Sequence, residues 1–595
     1  MYVDARFDRK SDQIQVVERV NGKRVYKEYQ ARYTFYYEDP KGKFRSIYKE
    51  PVTRVVCKNT TSFKKEKALK SGKKLYESDI NPINQCLAEY YLNTESPKLN
   101  VCFWDIETDF EKFLYPRNYK IKLKRPVGED VITVGELVEL SATSSAKNCK
   151  VWDEKSNKWV PISGCIYLKA GRGFSPPHDP FMPITAVSLY LDWLDKMVTL
   201  AIIPPTMTMD QAKKEVEGLG EHVYLYTEEK DLLLAFLDTI EDVDVLSGWN
   251  CSTFDIPYVI NRITKVLSKH DTRKMCLWNQ FPKSRTFERF GKEQKTYDLT
   301  GRVNLDYLDL YKKYTYEERT SYKLDSIGEI ELGERKTEYE GTLDQLYHGD
   351  FKLFLTYNIQ DVNLLHQLDK KFEYIELTTA SAHENTVLMP ATLGSVAIIE
   401  QGIINEAHLH GMVIPDKHIS EDDSVSIAGG YVGVPRKGIH EWIGSIDLNS
   451  LYPSIIRSLN MGNETVVGQI RQDRTSKMIQ DFLDKGYKYS HAWEEKFSCI
   501  EYNIVMDKRN DETVIIDWER GNSIELSGAQ AYNLLFNSNK KWMLSANGTI
   551  FSCEQRGIIP DLLTKWYNDR KVMQKQKKNW QRLNDGIKLP ERFVQ

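Results

Sequence analysis

Ser445-Ile446-Asp447-Leu448-Asn449-Ser450-Leu451-Tyr452-Pro453-Ser454-Ile455-Ile456 is the stretch around which the rest of the chain is organised. Its apolar start predicts a strand, Asp447 falls at the strand's end, and Leu-Tyr-Pro turns the chain into a further apolar run. A carboxylate where a buried strand opens into a turn is placed to hold a metal ion at the rim of a sheet. Far upstream, Val101-Cys102-Phe103-Trp104 predicts another apolar strand, which delivers Asp105 and Glu107. At i and i+2 these two carboxylates project from one face, and they repel each other unless a cation lies between them.

At 595 residues the chain is too long for one core and predicts roughly three or four domains. Hydrophobic residues at 41% and charged residues at 28% fit a globular protein, and no apolar run approaches the ~18 residues of a membrane span. The N-terminus lacks the apolar centre of a signal peptide, so a cytoplasmic location is expected. Nine cysteines without a CxxC pair argue against a disulfide framework or a structural zinc site. The one close histidine pair, His408 and His410, is assigned a structural or surface role. A net charge of −3 does not announce a nucleic-acid binder, but a basic groove needs only a local excess of cations.

Working outward along the chain, Ile14 to Val20 and Arg24-Val25-Tyr26 flank Asn21-Gly22, the strongest short-range hairpin signal. Lysines 64, 65, 67, 70, 73 and 74 form a basic run, whose ordinary reading is a solvated face and whose functional one is a nucleic-acid backbone. Residues 110–178, which carry Lys120, Lys122, Lys124 and Arg125, read as an elaboration inserted after Glu107, without catalytic spacing. Val243 to Asn250 is a further apolar strand, and Asp255 stands where the following helix begins, two residues before Pro257. Taken alone it would be an N-cap. Phe351 to Lys371 is helical by periodicity, so Tyr357 and Asp361 share a face, which in isolation would mean a surface pair. Gly429 and Gly430 allow a backbone to approach a phosphate closely, or simply form a loop.

Taken together these positions carry a resemblance. From Asp447 the chain is similar to motif A, D-x-x-S-L-Y-P-S-I-I, of family B DNA polymerases. Asp105/Glu107, Asn250-x-x-x-Phe254-Asp255 and Tyr357-x-x-x-Asp361 come in the order of the three motifs of DEDD-type proofreading exonucleases, in the subgroup that uses a tyrosine. Leu305 to Tyr311, Ser321 to Asp325 and Ser454 to Arg457 also resemble the replicative polymerases of T-even-like bacteriophages.

The resemblance implies an α/β and α+β multidomain fold. The expected parts are a strand-rich N-terminal domain (1–104, with a return segment near 374–417) and a ribonuclease H-like 3′-5′ exonuclease domain (105–373, with an insertion near 110–178). A partial palm (418–556, with an insertion near 465–545) and the start of helical fingers (557–595) follow. It implies two Mg²⁺ or Mn²⁺ ions per active site, held by Asp105, Glu107, Asp255 and Asp361 for hydrolysis and by Asp447 for nucleotidyl transfer. Tyr357 would orient the attacking water. The backbone at Leu448, Ser450 and Leu451 would face a dNTP, Tyr452 would lie beneath the sugar as a steric gate, and Arg570 would meet the triphosphate. Gly429 and Gly430 would pass close to template DNA.

Implied partners are primer-template DNA, single-stranded DNA, dNTP and a candidate sliding clamp, with no membrane; the location would be host-cell cytoplasm if the source is viral. Neither the K-x-x-x-N-S-x-Y-G fingers motif nor the Y-G-D-T-D palm turn is found, and Asp517-Trp518-Glu519 reads as an ordinary strand end. The chain is therefore expected to be the N-terminal part of a DNA polymerase, either truncated or completed by a C-terminal polypeptide. The alternatives are a stand-alone 3′-5′ exonuclease and a non-catalytic DNA-binding scaffold.

Overall fold

The Val101–Thr108 strand is buried at most positions, so both of its faces have to be covered. The computed structural model describes all residues except 114, 116–118, 142, 155, 169, 174, 290–291, 418–432, 434, 494–495 and 588–595. The chain divides into two units, one of Met1–Arg32 with Asn81–Gln401, the other of Tyr33–Ile80 with Gly402–Gln595. This division cuts across residues 1–104, whose first strands group with the unit that holds the Val101–Thr108 strand.

In the first unit six strands pair in the order Val223–Tyr226, Lys196–Ile202, Ile184–Leu191, Val101–Thr108, Val245–Gly248, Val303–Asp306. Ile184–Leu191 runs antiparallel to both neighbours and the remaining pairings are parallel. Alternation sorts the Val101–Thr108 side chains onto two faces. Cys102, Trp104 and Ile106 share a core with Phe236 of helix Glu229–Thr239 and Tyr258 of helix Asp255–Val266. Val101 and Phe103 share another with Val362, Leu365 and Leu368 of helix Phe351–Phe372. Each such buried side chain contributes about 1.5–3 kcal/mol, which holds the sheet between its helices. At Gly248 a Cβ would stand 2.9 Å from the Trp104 carbonyl, so only glycine lets the strand end approach its neighbour this closely.

Three strands, Tyr2–Asp8, Gln13–Val20 and Lys23–Gln30, form the N-terminal antiparallel sheet of the same unit. The expected Asn21-Gly22 hairpin is present, both residues having positive φ (50° and 73°), with Val20 opposite Lys23. Arg19 anchors this sheet through a two-pronged pair with Asp244, Nε donating at 2.8 Å and Nη2 at 2.6 Å, both side chains being buried. The insertion after Glu107 is a folded module. Its strands pair in the order Glu129–Thr133, Lys120–Lys124, Lys150–Asp153, Lys158–Pro161, over a core that includes Ile121, Leu123, Leu137, Val151 and Tyr167.

The second unit holds two five-stranded sheets. In one, Met412–Val413 pairs in parallel with Phe44–Ser46. The other pairs Ser523–Ser527, Thr513–Trp518, Val466–Ile470, Thr549–Ser552 and Trp542–Leu544 around Ile470, Val514, Ile516 and Ile550. The strand expected at Ser445 to Asp447 is not formed. Residues 443–448 are irregular and exposed, and helix Leu451–Leu459 follows them. Among the described residues this stretch has no neighbouring strand, and a strand without a partner leaves its backbone groups to water.

Candidate active site

Asp105 and Glu107 continue the row of Val101 and Phe103, so they face helix Phe351–Phe372 rather than the opposite layer. That helix presents Asp361, and one carboxylate oxygen from each of Asp105, Glu107 and Asp361 lies within 4.8 Å of the others. Asp255 supplies a fourth carboxylate. It opens its helix without capping it; instead its Oδ1 accepts a hydrogen bond from the Ile106 backbone N–H at 3.3 Å. Asp306 holds the turn that aims it, accepting from Asn250 N at 2.9 Å and Ser252 N at 3.1 Å.

Burial sets the electrostatics. It pushes the Asp105 carboxyl well above the usual carboxylate range, with the charges of Asp255, Glu107 and Asp361 acting in the same direction. Burial, then Asp361, lifts Glu107 to about 8. Asp255 is raised to about 7 by burial, opposed by its bond from Ile106. Asp361 is raised by burial too, although the Lys336 ammonium opposes this.

Lys336 and Asn358 belong to the site and are missed by sequence reasoning. The Lys336 ammonium forms an ion pair with Asp361 Oδ2 and donates to the Tyr357 hydroxyl oxygen at 3.0 Å. Burial works against that charge, but Asp361 and Asp105 outweigh it and hold the ammonium above its ordinary range. Asn358 Nδ2 donates to Asp105 Oδ2 at 3.0 Å. Asn358 stands three residues before Asp361 on one helix face, so its signal was present. Lys336 lies in an unpatterned run between Gly333 and Gly341 and had none.

Tyr357 also meets Tyr339 edge to face, ring centroids 5.3 Å apart. A cleft of about 320 Å³ opens beside Glu107, walled by Phe110, Phe254 and Leu343. The donor set is made of hard carboxylate oxygens, and Asp361 Oδ1 is buried with no hydrogen-bond partner. Both observations fit a divalent cation.

The polymerase-motif residues are placed differently. Asp447 is exposed, Leu448 and Tyr452 are 62% and 78% exposed, and Ser450 has a left-handed backbone where helix Leu451–Leu459 begins. Leu451 is exposed, as is Arg570 on helix Ile558–Ile587. The two helices are joined: Arg457 donates to Thr564 Oγ1 at 3.3 Å and stacks over the Tyr567 ring at 4.2 Å. No described contact brings Asp447 and Arg570 together. Gly429 and Gly430 lie outside the described residues. His408 pairs with Glu77 at 2.8 Å, and His410 with Glu406 and Asp561 at 3.2 and 3.5 Å.

Residues 138–327 match the exonuclease domain of DNA polymerase family B, and residues 389–585 match DNA polymerase family B itself. The chain belongs to this family. It is 28% identical over 324 residues to the DNA-directed DNA polymerase of Escherichia phage RB69, covering 51% of this chain and 36% of that protein. Against the DNA-directed DNA polymerase of Enterobacteria phage T4 it is 28% identical over 374 residues, 60% of this chain and 40% of that protein. The DNA polymerase delta catalytic subunit of Oryza sativa subsp. japonica is 27% identical over 319 residues, 50% and 27% of the two chains. The chain thus spans well under half the length of these relatives. Of the four clustered carboxylates only Asp255 falls inside the matched exonuclease range, so the case for the other three rests on geometry. Among the described residues no helix is long and apolar enough to cross a membrane.

Proposed function

We propose that the first unit is a 3′-5′ exonuclease acting on single-stranded DNA, and that its proofreading belongs to a replicative polymerase. The observation that carries this reading is the convergence of Asp105, Glu107 and Asp361 to within 4.8 Å of one another, with Asp255 from a third element bonded to the Ile106 backbone between the first two. The strand order supports the expected ribonuclease H-like fold.

Those four carboxylates would hold two Mg²⁺ or Mn²⁺ ions, which when bound supply a lowered water pKa and charge neutralisation at the phosphate. The protein's own groups do the rest. Lys336 donates to the Tyr357 oxygen and so fixes the hydroxyl that would orient a water. Asn358 fixes the Asp105 carboxylate. Phe110 and Phe254 form apolar walls against which an unpaired terminal base can lie. The test is degradation of 5′-labelled single-stranded DNA with and without Mg²⁺ or Mn²⁺. Shortening from the 3′ end that disappears in Asp105→Ala/Glu107→Ala supports the reading, and undiminished shortening by that double variant refutes it.

For the second unit we propose half of a nucleotidyl-transfer site, with Asp447, Leu448, Ser450, Leu451, Tyr452 and Arg570 in their family roles and Gly429 and Gly430 near the template. Ile439, Trp442, Ile443 and Ile446 stand between 72% and 100% exposed beside Asp447, which supports a missing partner strand. The partner would be a polypeptide carrying Y-G-D-T-D. Nucleotide incorporation that arises on adding it, and is lost in Asp447→Asn, supports this; no incorporation leaves the stand-alone exonuclease.

A further inference from the structure

The module inserted between Thr108 and Ile184 turns one face of its four-stranded sheet inward and the other outward. Ile121, Leu123 and Val151 fill the core side. The outward positions of the same strands are Lys120, Lys122 and Lys124, then Lys150 and Trp152, then Trp159. Register places them side by side: Lys124 is opposite Lys150, and Trp152 is opposite Trp159. The four lysines are exposed and the two tryptophans half-buried. The indole rings meet edge to face at 5.4 Å, and the Lys124 ammonium lies 5.4 Å from the Trp159 ring centre. On this face Glu129 offsets one charge, pairing with Lys124 at 3.4 Å.

A row of lysines alone is ordinarily a solvated face. Two tryptophans set among them on the outer side of a sheet are not. Large aromatics normally turn inward, and here they stand beside cations where unpaired bases can stack while phosphates meet ammonium groups. The module is rooted at the candidate site: Thr108, next to Glu107, pairs with Ile184, where the chain returns to the sheet.

We propose that this outer face, Lys120, Lys122, Lys124 and Lys150 with Trp152 and Trp159, is a docking surface for single-stranded DNA, which it holds at the approach to the exonuclease cleft. The binding itself does not require the exonuclease reading; only the destination of the strand does. Charge complementarity and the stacking rings select an unpaired strand over a duplex, whose bases are already stacked.

The experiment measures binding of labelled oligothymidylate, 8 and 24 nucleotides long, to the whole protein in excess chelator. No hydrolysis occurs there, so the readout survives even if the exonuclease assignment fails. Lys120→Gln/Lys122→Gln/Lys150→Gln alters only exposed positions. It should weaken binding of the 24-mer about 10-fold and reduce the log–log salt slope by about 2, on the scale of ~0.7 per phosphate contact. Trp159→Leu should weaken it by about 10-fold with little change in slope, as expected of lost stacking. Photo-crosslinking with 5-iodouracil, which does not depend on the variants folding, should label Trp152 or Trp159. Unchanged binding in both variants, crosslinks confined to other segments, or equal affinity for duplex overturns the proposal. Tighter binding of oligouridylate than of oligothymidylate overturns the assignment to DNA in favour of RNA.

Discussion

The two acidic motifs of this chain differ in how completely the fold builds around them. Asp105 and Glu107 lie on a strand with paired neighbours on both sides and a helix across its face, so a second, third and fourth element bring Asp255, Asp361, Tyr357 and Lys336 to them. Asp447 follows a run that also predicts a strand, yet that run has no neighbouring strand among the described residues and stays irregular and exposed. The same local signal thus yields a buried, charge-strained cluster in one unit and an open stretch in the other. Neighbours, rather than the motif itself, make the difference.

The largest effect should come from Asp105→Ala/Glu107→Ala, which should lower exonuclease turnover by about 1000-fold or more, on the scale of losing a preorganised charge-stabilising element. Asp447→Asn should leave that rate within twofold, because it lies in the other unit; a parallel loss would break the comparison. Tyr357→Phe keeps the ring packed on Tyr339 but removes the hydroxyl, and should lower the rate about 100-fold with unchanged stability. Single-turnover kinetics beside a melting curve would check it.

Arg19→Leu should destabilise the first unit by about 3 kcal/mol, measured by denaturant unfolding, because Asp244 stays buried and loses its two-pronged partner, keeping Arg24 at 3.3 Å and the Asn100 N–H at 3.0 Å.

Proton linkage should also separate the units. Glu107 and Asp255 are raised to about 8 and about 7, above their unfolded values. Between about pH 5 and 8 the folded state therefore holds more protons than the unfolded one, and cation-free stability should fall as pH rises through that window. A divalent cation competes with those protons, so its stabilisation should be larger at pH 8 than at pH 5.5, and Glu107→Gln should flatten the difference. A cation effect that grows toward acid pH would overturn the assignment of these ligands.

The smallest effect is expected at Trp442, which is fully exposed: Trp442→Ser should change stability by no more than about 0.5 kcal/mol. Ile516→Ala in the same unit's core should cost about 2–5 kcal/mol.

Local patterns in the sequence determined a good deal. Period-two alternation put Asp105 and Glu107 on one face, helical periodicity put Tyr357 with Asp361, and Asn21-Gly22 specified its hairpin, because each depends only on neighbours a few residues apart. Motif order identified the family. Tertiary structure alone decided that Asp255 bonds Ile106 rather than capping its helix, and that Lys336 arrives from a patternless loop to pair with Asp361. It also decided that residues 1–32 join the first unit, where Arg19 pairs with Asp244, and that the run before Asp447 forms no strand. The reason is the same in each case. Periodicity fixes which side chains share a face, but what covers that face, and whether a backbone ladder finds a partner, is settled by segments far away in the chain.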